Sequence, residues 1–131
     1  MSGSPSLPLQ IVVVEDELTM QMILKKYLGS LYQVELFSDG LEALSYLQKG
    51  NLPDLIISDL NTPEMGGLEL TKQVRASGFF GAIPIIILSG EESSEKIIQC
   101  LEAGADDYLV KPFNPKELEA RLKVVLRRSR K

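Results

Sequence analysis

Five short apolar runs alternate with five longer stretches of helical spacing. Gln10-Ile11-Val12-Val13-Val14 is rich in β-branched residues and predicts a buried strand. Leu18 to Leu28 follows with helical periodicity, and Gly29 is a natural stop. Val34 to Phe37 reads as a shorter, edge-like strand. Ser38-Asp39-Gly40 turns it into a helix from Leu41 to Lys49, closed by Gly50. Leu55, Ile56 and Ile57 are apolar on both faces, the pattern of a parallel strand covered on each side. Pro53-Asp54 starts that strand, and Asn61-Thr62-Pro63 stops it. A helix is predicted from about Leu68 to Ala76. A fourth buried strand runs from Pro84 to Leu88 and ends in Ser89-Gly90. Ser93 to Ala103 is a helix ended by Gly104. Asp107 to Val110 is a fifth strand, ending at Lys111-Pro112. The last helix runs from Pro115, a favoured first-turn residue, to about Arg127.

Strand and helix alternating five times, with short connections, predict a mostly parallel sheet with helices on both faces. Right-handed crossovers bring every strand's C-terminal end to one edge. The chain of 131 residues suffices for one core. Residues 1–8 are rich in Ser, Pro and Gly and read as a disordered lead-in. Residues 9–127 form the domain, and residues 128–131 a basic tail or the start of a linker.

Composition narrows the chemistry. The chain has one cysteine, Cys100, and no histidine. A disulfide framework, a Cys/His zinc site and a histidine base from this chain are thereby excluded. The formal net charge is -4. Arg127, Arg128, Arg130 and Lys131 hold four positive charges, so the body without them is twice as negative. Such a body is a poor partner for nucleic acid. No signal-peptide pattern and no apolar run of membrane-spanning length is present, which predicts a cytoplasmic protein.

The strand ends carry Glu15 and Asp16, Asp59, Ser89 and Lys111. If the strands take the flavodoxin-like order 2-1-3-4-5, the first and third are neighbours and the ligand crevice opens between them. Glu15, Asp16 and Asp59 then lie side by side and need a counter-charge. Magnesium, a hard cation preferring oxygen ligands, is the natural candidate, and the carbonyl of Asn61 could complete the set. Lys111 adds a fixed positive charge. A nucleophilic carboxylate, a metal, an ammonium and a hydroxyl together suit phosphoryl transfer.

These residues carry a family resemblance. Glu15-Asp16, Asp59, Ser89 and Lys111-Pro112 resemble the site of the response-regulator receiver domain of two-component signalling. The segments Asp59 to Leu70 and Gly104 to Phe113 are especially similar to its pattern. The resemblance spans about residues 9–127. It implies a flavodoxin-like (βα)5 three-layer sandwich and a receiver that accepts a phosphoryl group on Asp59. The donor would be a histidine kinase or phosphotransfer protein. Asp16 and Asp59 would hold Mg2+ through side chains, Asn61 through its carbonyl and Glu15 through water. Lys111 would meet the phosphate, Ser89 and Tyr108 would form the switch, and Lys111-Pro112 would be cis. Glu15 stands where Asp is more usual, Ser89 where Thr is also frequent, and Gly66 where Asp is frequent.

The resemblance further implies that Ser89 moves toward the phosphoryl group and admits the ring of Tyr108, which otherwise points outward. The face of the fourth helix, fifth strand and fifth helix then controls an output or partner, possible homodimerisation included. Asn61 and Glu91 are expected to tune water attack on the acyl phosphate. The C-terminal helix resembles receivers that continue into a DNA-binding output domain. Such a receiver would pair Asp106 or Asp107 with Arg121 or Lys123 across a dimer. A receiver is not a turnover enzyme. A haloacid-dehalogenase-type phosphatase would need an acid at Asn61, and a flavin carrier would need a phosphate cradle where Glu15-Asp16-Glu17 stands. Taken singly, Asp59 and Ser89 are ordinary strand-end or turn residues; their assignment rests on the set. Glu17 is read as a helix-terminal acid, and Cys100 as a small core residue.

Overall fold

A computed structural model describes residues 8–129. Ten elements alternate: β1 (Gln10–Val14), α1 (Leu18–Gly29), β2 (Gln33–Phe37), α2 (Gly40–Gln48), β3 (Leu55–Asp59), α3 (Gly67–Arg75), β4 (Ile85–Ser89), α4 (Ser94–Ala103), β5 (Asp107–Val110) and α5 (Pro115–Ser129). All strand pairs are parallel, in the order β2-β1-β3-β4-β5. This is the parallel sheet that the alternation predicts, in the flavodoxin-like order that the family resemblance implies.

Successive strand residues face opposite sides of the sheet. Val12, Val14, Ile56, Ile85 and Ile87 pack with Ala43, Leu47, Leu70, Val74 and Cys100 under α2, α3 and α4. Ile11, Val13, Leu55, Ile57, Ile86 and Leu88 pack with Leu24, Leu28, Leu118 and Leu122 under α1 and α5. The result is three layers with a core on each side of the sheet. β3 is buried along its whole length. Burying each of its large aliphatic side chains stabilises by about 1.5–3 kcal/mol.

Register sets the functional edge. Val14 pairs with Ser58, so Glu15 falls level with Asp59. Asp59 pairs with Leu88, and Ser89 with Val110. The residues one step past β1 and β5, Glu15 and Lys111, therefore flank the ends of β3 and β4.

Several boundaries differ from the sequence reading. β2 starts at Gln33. Asp39 and Ser93 are N-caps, their side chains accepting from the N–H groups of Glu42 and Lys96. α5 continues through Arg128 to Ser129, taking up the first part of the basic tail. Residues 1–7 of the expected lead-in and residues 130–131 of that tail lie outside the described residues. Among the described residues, no helix is long and apolar enough to cross a membrane.

Charges considered for a dimer contact are engaged within the chain. Arg121 pairs with Asp107 at 3.2 Å and with Glu117 at 3.0 Å. Lys123 pairs with Glu119 at 3.0 Å. Asp106 pairs with Arg75 at 2.9 Å and also accepts from the Ile85 N–H at 2.8 Å. The one-turn spacing along α5 and the adjacency of α3 to the start of β5 supply these partners.

The loop from β3 to α3 is held by tight backbone contact. The Gly40 N–H donates to the Met65 carbonyl at 2.8 Å, and Thr62 Oγ1 donates to the same oxygen at 2.6 Å. A Cβ on Gly40 would lie 2.5 Å from that carbonyl oxygen, whereas one on Gly78 would meet nothing within 4 Å. Gly40→Ala is expected to destabilise the fold by about 1–3 kcal/mol, the usual cost of overpacking. Gly78→Ala should stay within about 0.5 kcal/mol of the wild type. Urea unfolding of both variants checks the difference.

Candidate functional site

Glu15 is fixed by four contacts. Its N–H donates to the Phe37 carbonyl at 2.9 Å, tying the end of β1 to β2. Its carbonyl accepts from Gln21 Nε2 at 2.6 Å. Its carboxylate accepts from the Glu17 N–H at 3.0 Å and from Lys111 Nζ at 3.1 Å. Only 1 % of Glu15 is exposed. Lys111 Nζ also lies 3.1 Å from Asp59 Oδ1. One ammonium thus bridges acids from β1 and β3. The Lys111 backbone is set by its N–H, which donates to the Ser89 carbonyl at 2.7 Å. The Lys111-Pro112 peptide is cis.

Asp16 is exposed and completes the acidic cluster: Glu15, Asp16 and Asp59 each bring one carboxylate oxygen within 4.8 Å of the others. An all-oxygen set of three acids around a single lysine fits a hard divalent cation. Glu17, the N-cap of α1, makes no side-chain capping bond. Its N–H instead orients Glu15.

Burial raises the pKa of Asp59 above its ordinary value; Lys111 opposes the rise and the Asp16 charge adds to it. Glu15 is raised too, chiefly by burial, against the Glu17 N–H and Lys111. Burial alone would lower Lys111. Its hydrogen bond to Asp59, then the charges of Asp59 and Glu15, outweigh burial and raise it. The site therefore carries more negative charge than its one lysine neutralises.

Ser89 is fully buried at the end of β4, and its Oγ accepts from the Glu91 N–H at 2.9 Å. Tyr108 departs from expectation. Its ring does not point outward: the residue is 8 % exposed and packs in the core beneath α2, α3 and α4. Its hydroxyl donates to the Glu91 carbonyl at 2.7 Å. That acceptor lets the phenol be buried with its polar tip satisfied. Burial raises its pKa. Asn61 Nδ2 donates to Glu91 Oε2 at 3.3 Å. Glu91 thus touches Asn61, Ser89 and Tyr108 at once.

The structure brings Glu15, Asp16, Asp59 and Lys111 together on one side, and Asn61, Ser89 and Tyr108 around Glu91 on the other. Sequence reasoning missed Gln21 and the central place of Glu91's backbone. Gln21 reads as one more helix residue, and backbone acceptors leave no mark in a sequence.

The raised carboxyls have a stability consequence. A carboxyl that binds its proton more tightly folded than unfolded favours the folded state most when protonated. That contribution is complete below the ordinary carboxylate pKa, about 4, and is lost as pH rises through the raised folded value. At neutral pH, without divalent ions, the ionised cluster costs stability. Asp59→Asn should therefore melt higher than the wild type at pH 7, and the gap should shrink as pH falls toward 4. About 1 kcal/mol corresponds to roughly 4 °C in a domain of this size. Thermal unfolding at a series of pH values in a metal chelator checks this.

The family model for the response regulator receiver domain matches residues 11–123. The response regulator MprA of Mycobacterium sp. (strain KMS) is 40% identical over 124 residues, 94% of this chain and 53% of MprA. The chain thus spans about half the length of these relatives. Chemotaxis protein CheY1 of Helicobacter pylori (strain J99) is 41% identical over 120 residues, 90% of this chain and 97% of CheY1. A response regulator structure from Chloroflexus aurantiacus superposes with a TM-score of 0.86 at 38% identity, covering 92% of this chain and 99% of that one. The receiver domain of sensor histidine kinase PA1611 from Pseudomonas aeruginosa PAO1 was solved with magnesium coordinated in its active site cleft. It gives a TM-score of 0.82 at 32% identity, covering 92% of this chain and 98% of that one. With the matched residues spanning every strand and the edge where Glu15, Asp59, Ser89 and Lys111 gather, this chain belongs to the response regulator receiver domain family of two-component signalling.

Proposed function

We propose that Asp59 is the phosphoacceptor and that the acidic cluster holds Mg2+. The observation carrying this reading is the Lys111 ammonium, 3.1 Å from both Asp59 and Glu15, beside the exposed carboxylate of Asp16. Asp16 and Asp59 would hold the ion through side chains, Asn61 through its carbonyl and Glu15 through water. Bound there, Mg2+ supplies charge neutralisation to the phosphoryl oxygens.

The phosphoryl donor is the phosphohistidine of a histidine kinase or phosphotransfer protein. An Asp59 carboxylate oxygen attacks phosphorus as the P–N bond breaks, and the departing imidazole takes up a proton. Lys111 stabilises charge on the transferring oxygens. The Ser89 hydroxyl, whose oxygen accepts from Glu91, keeps its own hydrogen for a phosphoryl oxygen. Water later cleaves the acyl phosphate, and the Asn61–Glu91 contact shapes its approach. The domain assists its own phosphorylation and dephosphorylation but is not a turnover catalyst.

Switching runs through Ser89 and Tyr108. The inward ring of Tyr108, with its hydroxyl on the Glu91 carbonyl, is the position that a phosphoryl group on Asp59 would favour by drawing Ser89 toward it. The face of α4, β5 and α5 then controls an output or partner. Ile98 and Leu101 on α4 are 51% and 44% exposed and offer apolar contact for a second copy.

Intact-mass measurement after incubation with a small phosphoramidate and Mg2+ should show one added phosphoryl group. Asp59→Asn should show none, and a chelator should abolish the gain. Lys111→Met should slow the reaction by about a hundredfold, the usual loss when one electrostatic contact to the transferring group is removed. In the same assay, Asn61→Ala combined with Glu91→Ala should slow decay of the phosphorylated form; an unchanged decay removes these two residues from the hydrolysis step.

Sedimentation velocity with Mg2+ and beryllofluoride should shift the wild type toward a dimer. The shift should be absent in Asp59→Asn and weakened in Ile98→Lys.

A further inference from the structure

We infer that Gln21 is a positioning residue for the metal-binding carboxylate of Asp16; the inference rests on the reading of Asp16 and Asp59 as metal ligands. Asp16 is exposed, so no packing around its side chain fixes its direction. Its aim depends on the backbone that carries it. That backbone is gripped on both sides by one residue. Gln21 Nε2 donates to the carbonyl of Glu15 at 2.6 Å, and the Gln21 backbone N–H donates to the carbonyl of Glu17 at 3.0 Å. Asp16 lies between the two gripped carbonyls.

Peptide planarity turns this into control of direction. The Glu15 carbonyl and the Asp16 N–H belong to one rigid plane. Fixing where that carbonyl points fixes the plane, and with it the start of Asp16. The Glu15 N–H is already committed to Phe37, and its carboxylate to Glu17 and Lys111. The carbonyl is the remaining freedom at the end of β1, and the Gln21 amide takes it up. Gln21 is half-buried in the first turn of α1, so packing of that helix on the sheet holds the amide in place.

A merely structural loop clamp and a positioning residue separate by substitution. Gln21→Glu keeps the size of the side chain, loses the N–H donor and adds a negative charge near the cluster. Charge alone would tighten Mg2+ binding. Loss of the grip on the Glu15 carbonyl would weaken it. Gln21→Met loses the donor without adding charge.

Isothermal titration of the full chain with Mg2+ decides between them, with circular dichroism and thermal unfolding in chelator as the measure of fold. Both variants should bind Mg2+ on the order of tenfold more weakly than the wild type, the usual effect of losing an outer support of a metal site. Each should remain folded at the titration temperature. Gln21→Glu binding as tightly as the wild type or tighter overturns the inference. So does a loss of thermal stability in either variant with unchanged Mg2+ affinity, which assigns Gln21 to the fold alone. Wild-type protein that fails to bind Mg2+, or Asp16→Asn that binds it equally well, instead overturns the metal reading and takes this inference with it.

Discussion

The edge of this sheet is governed by repulsion. Three carboxylates lie close together, two of them on residues that are almost wholly buried, and one ammonium stands against them. Unit charges about 4 Å apart interact by roughly 4 kcal/mol at the effective dielectric near a protein surface. Lys111 offsets two such carboxylates but leaves an excess. A fold that only sought stability would place apolar residues here, as it does at Leu55, Ile56 and Ile57 of β3. The excess is useful in one way: it makes the site favour an incoming cation.

Sheet register is what allows the crowding. Glu15 and Asp59 are far apart in sequence, yet the parallel pairing of Val14 with Ser58 puts them level. The pairings of Asp59 with Leu88 and of Ser89 with Val110 then bring Lys111 to the same edge. Because neighbouring side chains alternate between faces, a slip of one residue would turn Asp59 to the other side of the sheet and exchange the aliphatic side chains between the two cores, whose packing partners differ. The buried runs therefore fix the chemistry as firmly as they fix the fold. Close packing at Gly40 and Met65 extends the constraint to the loop that follows Asp59.

Those same runs explain what the sequence discloses. A parallel sheet with all strand ends on one edge follows from apolar periodicity, short connections and handedness, each of which leaves a mark in the residues; the strand order, and with it the gathering of the acids, came from the family resemblance. Lys111 was legible because it ends a strand before Pro112-Phe113. The orientation of Tyr108 was not, because it depends on whether an acceptor waits inside, and that acceptor is the backbone carbonyl of Glu91. Asp107 and Arg121 looked available to another molecule, since nothing in their spacing shows that β5 and α5 place them 3.2 Å apart. Helix α5 outran its expected end at Arg127, as basic residues in a last turn favour the helix dipole rather than ending the helix.

Glu15 shows how a substitution of one acid for another reshapes such a site. Both of its carboxylate oxygens are engaged, one by the Glu17 N–H and one by Lys111. Its side chain is thus turned toward the protein's own donors, and it acts first as a tether for the lysine. Asp16, exposed beside it, has no comparable claim on its oxygens and is the acid from this loop that is free to meet an ion. The division of labour follows from reach. A longer side chain can fold back to the start of α1 and still touch the ammonium, while the shorter one next to it faces the opening. An acidic pair that looks redundant in sequence therefore separates into one group tied to the protein's own donors and one left facing the opening.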